Sequence, residues 1–287
     1  MKMTKRLREL LESETILVAP SAYDALSAKV IEWAGFKAVG TTGFGMSACM
    51  LGKPDVGLLT MSEIVDQCKR IADAVDVPVM ADADTGYGNP INVIRTVEEF
   101  ERAGMAGIYI EDQVWPKKCG YIRGKGVIPL EEGVMKVKAA VEARDDPDFL
   151  IVARTDADII STDEVIKRGN AYADAGADLV KPQPKSMDQL EACARRIKVP
   201  LHIGTGRIGR FSPSVKDLEE VGNVKAVTFP TTPLLAATKA MMGLMETIKN
   251  TGTIETYADG LMAFDEFTDF IGLPEIYSLE QRYKITK

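Results

Sequence analysis

The sequence predicts a closed parallel α/β barrel, the (β/α)8 or TIM-type class, on three observations. Short apolar, β-branched runs recur at intervals of roughly 20 to 40 residues, close to eight times. Longer segments of helical periodicity fill the intervals, as a repeated βα unit requires. Several of these segments finish at an Ala-Gly step, and Gly35, Gly104 and Gly176 sit where a left-handed cap turns a helix towards the next strand. An open doubly wound sheet is the alternative, but no G-x-G-x-x-G follows the first strand.

The elements follow in order. Met1–Ser13 reads as a polar amphipathic helix without an apolar signal region. Strands are expected at Ile16–Ala19, Ala38–Thr41, Val77–Ala81, Gly107–Ile110, Leu150–Ala153, Asp178–Lys181, Leu201–Ile203 and Ala226–Phe229. Helices are expected at Asp24–Ala34, Ser62–Ala74, Asn92–Ala103, Leu130–Ala143, Thr162–Ala175, Ser186–Ile197, Ser214–Val221 and Pro233–Ile248. No linker divides the chain, so residues 1–287 read as one domain, a barrel over 1–250 and a helical extension over 251–287. That extension carries Phe264, Phe267, Phe270, Ile271, Leu273 and Tyr277, too much apolar surface for a free tail. It is expected either to dock on its own barrel or to exchange with a neighbouring subunit.

Composition excludes several functions. Hydrophobic residues make up 46 % of the chain, ample for a core, yet no apolar run approaches the roughly 20 residues that span a bilayer. A net charge of −7 with no long basic run argues against nucleic acid as a partner. Cys49, Cys68, Cys119 and Cys193 are widely spaced, which favours reduced thiols and a cytoplasmic protein over a disulfide or zinc framework. With His202 the single histidine, chemistry must run on carboxylates, thiol, phenol, Lys and Arg.

In a barrel, reacting groups belong at the carboxyl ends of the strands. The third strand ends in Ala81–Gly88, A-D-A-D-T-G-Y-G, where alternation aims Asp82 and Asp84 to one side. Such a pair holds a hard cation or shares a proton, and Mg²⁺ suits oxygen ligands; turn capping beside Gly86 and Gly88 is the structural alternative. Glu111 and Asp112 after the fourth strand, and Asp55 in G-K-P-D-V-G-L, can add oxygen ligands. Arg154 ends the fifth strand, placed to clamp a substrate carboxylate or to pair with one of these acids. Thr42, Gly43 and Phe44 lie in a glycine-rich turn with closely spaced N–H groups, a candidate anion nest. Cys119, in K-K-C-G between Lys118 and Gly120, has two adjacent cations that favour its thiolate and draw anionic ligands; a buried structural Cys is the alternative.

Together these pieces resemble the isocitrate lyase and phosphoenolpyruvate mutase superfamily over almost the whole chain. The resemblance is carried by Ala22–Ala28 (A-Y-D-A-L-S-A), Gly52–Leu59 (G-K-P-D-V-G-L-L), Asp82–Gly88, Ile110–Gly120 (I-E-D-Q-V-W-P-K-K-C-G) and Ala153–Ala157 (A-R-T-D-A). It implies Mg²⁺, with Mn²⁺ as the substitute, at the strand ends, a mobile loop over a 2-oxo or 2-hydroxy acid, and homotetramers that swap a C-terminal helix. The K-K-C-G loop is similar to the carbon–carbon lyase branch that includes the methylisocitrate and 2,3-dimethylmalate lyases and oxaloacetate hydrolase. By this resemblance Cys119 protonates the carbanion left by cleavage, and Asp82, Asp84 and Glu111 form the metal environment. Thr42, Gly43 and Phe44 would bind the 2-oxo acid carboxylate, and Arg154 would meet the substrate.

Three departures alter the pocket. Tyr121 replaces the histidine that usually follows K-K-C-G, Gln183 replaces the glutamate after the sixth strand, and Gly204–Gly209 (G-T-G-R-I-G) places Arg207 where the family has an acid. The first removes a carboxylate or proton-transfer partner, the second a negative charge and the third exchanges an acid for a cation, and together they move the charge balance towards positive. The expected reaction is Mg²⁺-dependent cleavage of a 2-hydroxy dicarboxylate by a retro-aldol step, with Tyr23 as the candidate base. P–C bond chemistry on phosphonopyruvate is the second reading, and a binding protein that has lost its chemistry is the third.

Overall fold

The structure is a computed structural model that describes residues 1–206 and 209–284. Its strands are β1 (Leu17–Val18), β2 (Ser21–Ala22), β3 (Val39–Thr41), β4 (Val79–Asp82), β5 (Gly107–Glu111), β6 (Leu150–Arg154), β7 (Leu179–Lys181), β8 (Leu201–Gly204) and β9 (Val224–Thr228). All pair in parallel in the order β1-β9-β8-β7-β6-β5-β4-β3-β2. The terminal members β1 and β2 are one run interrupted at Ala19-Pro20. Ala19 N donates to Val227 O at 2.8 Å, and Gly40 N donates to Pro20 O at 2.9 Å, so this run bonds to both sheet ends and closes the barrel. Proline has no N–H to continue the ladder, which explains why eight expected strands become nine.

The helices are α1 (Met3–Glu12), α2 (Ala25–Trp33), α3 (Gly43–Leu51), α4 (Met61–Asp73), α5 (Pro90–Arg102), α6 (Leu130–Ala143), α7 (Thr162–Asp174), α8 (Met187–Arg196), α9 (Val215–Val221), α10 (Thr232–Thr251), α11 (Phe264–Phe270) and α12 (Leu273–Arg282). Four of them start at a reciprocal capping box, formed by Asp24 before α2, Thr60 before α4, Asn89 before α5 and Ser214 before α9. Leu7 of α1 is fully buried with Leu17, Met80, Leu150 and Leu179, so α1 covers the amino-terminal end of the barrel. The open end is therefore the carboxyl end.

Helix α3 was not expected. Its two glycines, Gly43 and Gly45, argue for a turn by propensity, yet Thr42 caps it by accepting from Gly45 N at 3.2 Å. Glycine at 45 is a packing requirement, since a Cβ there would stand 2.7 Å from Thr42 Cγ2 and from Tyr23 Cβ.

The chain divides into two compact units, Met1–Leu234 and Leu235–Lys287, ahead of the expected boundary at 250. In the second unit, Tyr257 Oη donates to Ala240 O at 2.8 Å and ties the stretch after α10 to that helix. No residue of α11 or α12 is buried, and Phe264 is 78 % exposed, while Phe267, Phe270 and Leu273 are half-buried. Among the described residues, no helix is long and apolar enough to cross a membrane.

Candidate active site

Asp82 ends β4 and takes Gly43 N on Oδ2 at 3.2 Å and Asp84 N on Oδ1 at 3.2 Å. Asp84 lies beyond the strand in the left-handed region, with φ 48°. The two carboxylates do converge, but the turn brings them together where strand alternation was expected to. A Cβ at Gly43 would sit 3.2 Å from Asp82 Oδ2, 3.3 Å from Asp84 Oδ1 and 3.4 Å from Lys117 Nζ. Lys117 is buried and pairs with Asp84 at 2.6 Å and Asp55 at 2.7 Å.

Burial works to raise both acids. For Asp82 the cations Lys117, Arg154 and Lys181 and the Gly43 N–H outweigh it, and the carboxyl falls below its ordinary value. Asp84 is raised, because burial and the nearby Asp82 and Asp55 charges exceed the pull of Lys117. Glu111, at the end of β5, is raised well above the carboxylate range by burial, despite Arg154 Nη1 at 2.9 Å from its Oε2. Its Oε1 has no hydrogen-bond partner.

Arg154 ends β6 and spends its guanidinium on Glu111 and on Asp156, whose Oδ2 is 2.9 Å from Nε. Asp156 also receives Lys125 Nζ at 2.6 Å, and with Arg154 first and Lys125 second this overcomes burial and takes the Asp156 carboxyl down to about 2. Lys125 further approaches Asp158 at 3.4 Å, so the loop over 120–126 is latched against the end of β6. Asp112 is not a cavity ligand. It accepts from Thr155 Oγ1 at 2.8 Å, Asp156 N at 2.9 Å, Tyr172 Oη at 2.8 Å and Arg168 Nη1 at 3.1 Å, a network that anchors α7 to the sheet.

Cys119 overturns the thiolate expectation. It is buried, its N–H donates to Asp55 O at 3.0 Å, and its thiol is pushed up to about 11. Desolvation is the largest cause and the Asp55 charge adds to it; the Tyr121 backbone N–H, Arg154 and Lys117 pull the other way without overcoming it. Lys117 is already faced by two carboxylates, and Lys118 is held by its backbone, whose N–H and C=O both bond the Gln113 side chain.

One cavity at the carboxyl end brings together Asp82, Cys119, Arg154, Thr42, Phe44, Asp55, Gly120 and Gln183 from the expected set. Gly43 borders it but donates its N–H to Asp82, so that group of the expected nest is engaged. Lys118, Tyr23, Asp84 and Glu111 do not line it. For Tyr23, burial with the Asp24 and Cys49 charges raises the phenol, away from what a base requires. Arg207 lies outside the described residues. The sequence reading missed Lys181, Ser21, Thr41, Tyr109 and Thr231 in the lining, and Asp156 behind Arg154. Lys181 carried a signal: a lysine inside the apolar run Leu179–Lys181 is costly unless it has a task.

Residues 7–249 match the family model described as phosphoenolpyruvate phosphomutase. A 2,3-dimethylmalate lyase of Eubacterium barkeri is 44 % identical over 286 residues, covering 99 % of both chains. A 2-methylisocitrate lyase of Aeropyrum pernix is 42 % identical over 93 % of this chain and 86 % of its own. Among solved structures, a phosphonopyruvate hydrolase in complex with oxalate and Mg²⁺ superposes with a TM-score of 0.88 at 31 % identity, covering 99 % of both chains. The barrel, the acids at its strand ends and these likenesses agree, and the chain belongs to the phosphoenolpyruvate phosphomutase family, within the isocitrate lyase superfamily of enzymes.

Proposed function

We propose that the protein is a divalent-metal-dependent oxo-acid lyase that cleaves a substituted malate, of the 2,3-dimethylmalate or 2-methylisocitrate kind, to a 2-oxo acid such as pyruvate. The observation that carries this reading is a buried thiol, Cys119, lining the same cavity as Asp82 and Arg154. Cleavage of the C2–C3 bond turns the C2 alkoxide into a 2-oxo acid. The bond's electron pair passes to the carboxylate-bearing C3, which the Cys119 S–H protonates; the C2 hydroxyl proton, released to solvent as the alkoxide forms, balances the one the thiolate takes back from solvent. A thiol held near pH 11 is an acid at neutral pH, the form this step uses.

The donor set fits a hard cation. Asp82 and Asp84 offer convergent oxygens, and Glu111 Oε1 is a buried acceptor without a donor. Among the described residues, no three acid, His or Cys side chains gather as a metal site, whereas Mg²⁺ needs only one or two carboxylates with waters and substrate. Asp82 and Asp84 would hold the ion, Mg²⁺ or Mn²⁺, with Glu111 reached through water; when bound it supplies positive charge to the oxyanion at C2. Arg154, fixed by Glu111 and Asp156, lines the cavity beside them.

The exposed stripe of Phe264 and Ile271 supports a homotetramer with an exchanged C-terminal helix, and four cysteines without a disulfide support a cytoplasmic location. Incubation with Mg²⁺ and a panel of substituted malates, isocitrates, oxaloacetate and phosphonopyruvate tests the reading through the released 2-oxo acid. Pyruvate from a malate is the expected result. Turnover of phosphonopyruvate alone would transfer the protein to P–C chemistry, the reading favoured by the hydrolase likeness.

A further inference from the structure

Lys181 ends β7, is 8 % exposed and lines the cavity. Its Nζ lies 3.4 Å from Thr228 Oγ1, 3.5 Å from His202 Nε2 and 4.3 Å from the centre of the Tyr109 ring. None of these is an anion. Among the described residues Lys181 forms no ion pair, whereas Lys117 and Lys125 each meet two carboxylates. Lys136, also buried, gives a hydrogen bond to Thr85 O at 3.1 Å and stands outside this cavity.

The surroundings leave an ammonium at this position short of negative charge. Burial is the main cause that takes Lys181 down to about 7, and Arg154 on β6 adds to it; Asp82 on β4, Asp156 after β6 and Glu111 on β5 pull the other way without reaching contact. On β8, His202 is driven well below its ordinary value by burial and by Lys181, so its ring is neutral. Among the described residues there is room beside this group: a Cβ added at Gly204 would meet nothing nearer than Thr228 Oγ1 and Tyr121 Oη, both at 3.8 Å, and Thr228 is the hydroxyl that Lys181 contacts.

We propose that Lys181 is the counter-charge for the substrate carboxylate remote from the 2-hydroxy acid end, and so the residue that selects four-carbon dicarboxylates over shorter acids. The inference rests on the oxo-acid reading of the cavity and adds the specificity group to it. Buried charges are stable when paired, and a carboxylate seated between Lys181, Thr228 and the open side of Gly204 completes the ion pair that the fold lacks. The ammonium is a strong donor there because water is displaced.

The test is titration calorimetry of the Mg²⁺-loaded protein at pH 7 with two probes, oxalate and succinate. Lys181→Met should weaken succinate about 10- to 100-fold, the span of one charged hydrogen bond, and change oxalate less than about threefold. Lys181→Arg should recover part of the loss. Should Lys181→Met fail to fold, the wild-type protein serves: succinate affinity should fall from pH 6 to 8.5 as the ammonium is lost, while oxalate affinity follows no such decline. Equal losses for both probes, no loss for either, or no succinate binding by the wild type would each overturn the proposal. So would a borohydride-stable adduct of pyruvate on Lys181, or a Lys181→Met variant with normal succinate affinity and no turnover, the mark of a base. A wild type that shows the succinate contrast yet cleaves no malate would sink the lyase reading and leave this role standing.

Discussion

Lys117, in the loop after β5, and Lys181, at the end of β7, are both buried lysines of one barrel, and they differ in what surrounds the ammonium. Lys117 meets Asp84 at 2.6 Å and Asp55 at 2.7 Å; Lys181 meets a hydroxyl, a neutral imidazole and an aromatic face. Desolvation disfavours the charge on both. Acid neighbours outweigh it for Lys117, which is raised well above its ordinary value, and fail to do so for Lys181, which falls to about 7. The difference teaches that burial alone does not assign a lysine its task. One ammonium neutralises the fold's own carboxylates, and the other has its partner still to come.

The comparison can be broken first at its acid side. Asp84→Ala removes a carboxylate from the pair that faces Gly43 and from Lys117 at once. Turnover of the active malate should fall by on the order of 10³-fold or more, with the circular dichroism of the barrel retained. A variant with full activity would end the metal reading.

Next in size is the contrast between the two lysines. Lys117→Met strands Asp55 and Asp84 without their cation, and denaturant unfolding of the chelator-treated protein should show a loss of about 3–5 kcal/mol. Lys181→Met deletes a cation that has no acid partner, so the same measurement should change by less than about 1 kcal/mol. Equal losses would show that the two sites do the same structural work.

A smaller effect is expected at the thiol. Cys119→Ser offers a far weaker acid in nearly the same volume, so kcat should drop about 10²-fold with KM little changed. Alkylation followed by mass spectrometry reads the thiol directly. Because burial raises the group from 9.0 to about 11, its modification should be slow at pH 8 and accelerate only towards pH 11. Half-maximal reactivity at or below pH 8 would restore the activated thiolate that the K-K-C-G sequence suggests.

Much of the architecture was legible in the sequence because it follows from periodicity and caps. Strands such as Leu150–Arg154 are continuous apolar runs, as a sheet covered on both faces demands, and α2, α5 and α7 end at the Ala-Gly steps where Gly35, Gly104 and Gly176 take φ of 88°, 87° and 100°. Asp82 and Arg154, at the carboxyl ends of β4 and β6, and Cys119, in the loop after β5, line one cavity. Helix α3 escaped because the reason for its glycines is a close approach to Tyr23 and Thr42, and sequence does not display contacts between distant atoms.

The sequence by itself determined the barrel, its open end and the chemical types gathered there. Only the tertiary structure decided their protonation and pairing. Sequence places Lys117 and Lys118 beside Cys119, but folding turns Lys117 to Asp84 and Asp55 and takes the thiol out of water, so the expected depression becomes a rise. Asp112 and Glu111 are adjacent in sequence, yet one anchors α7 through Arg168 and Tyr172 while the other faces Arg154. The physical reason is common to these cases: desolvation and charge–charge energies depend on distances of a few ångströms between residues tens of positions apart, and those distances exist only after the barrel closes.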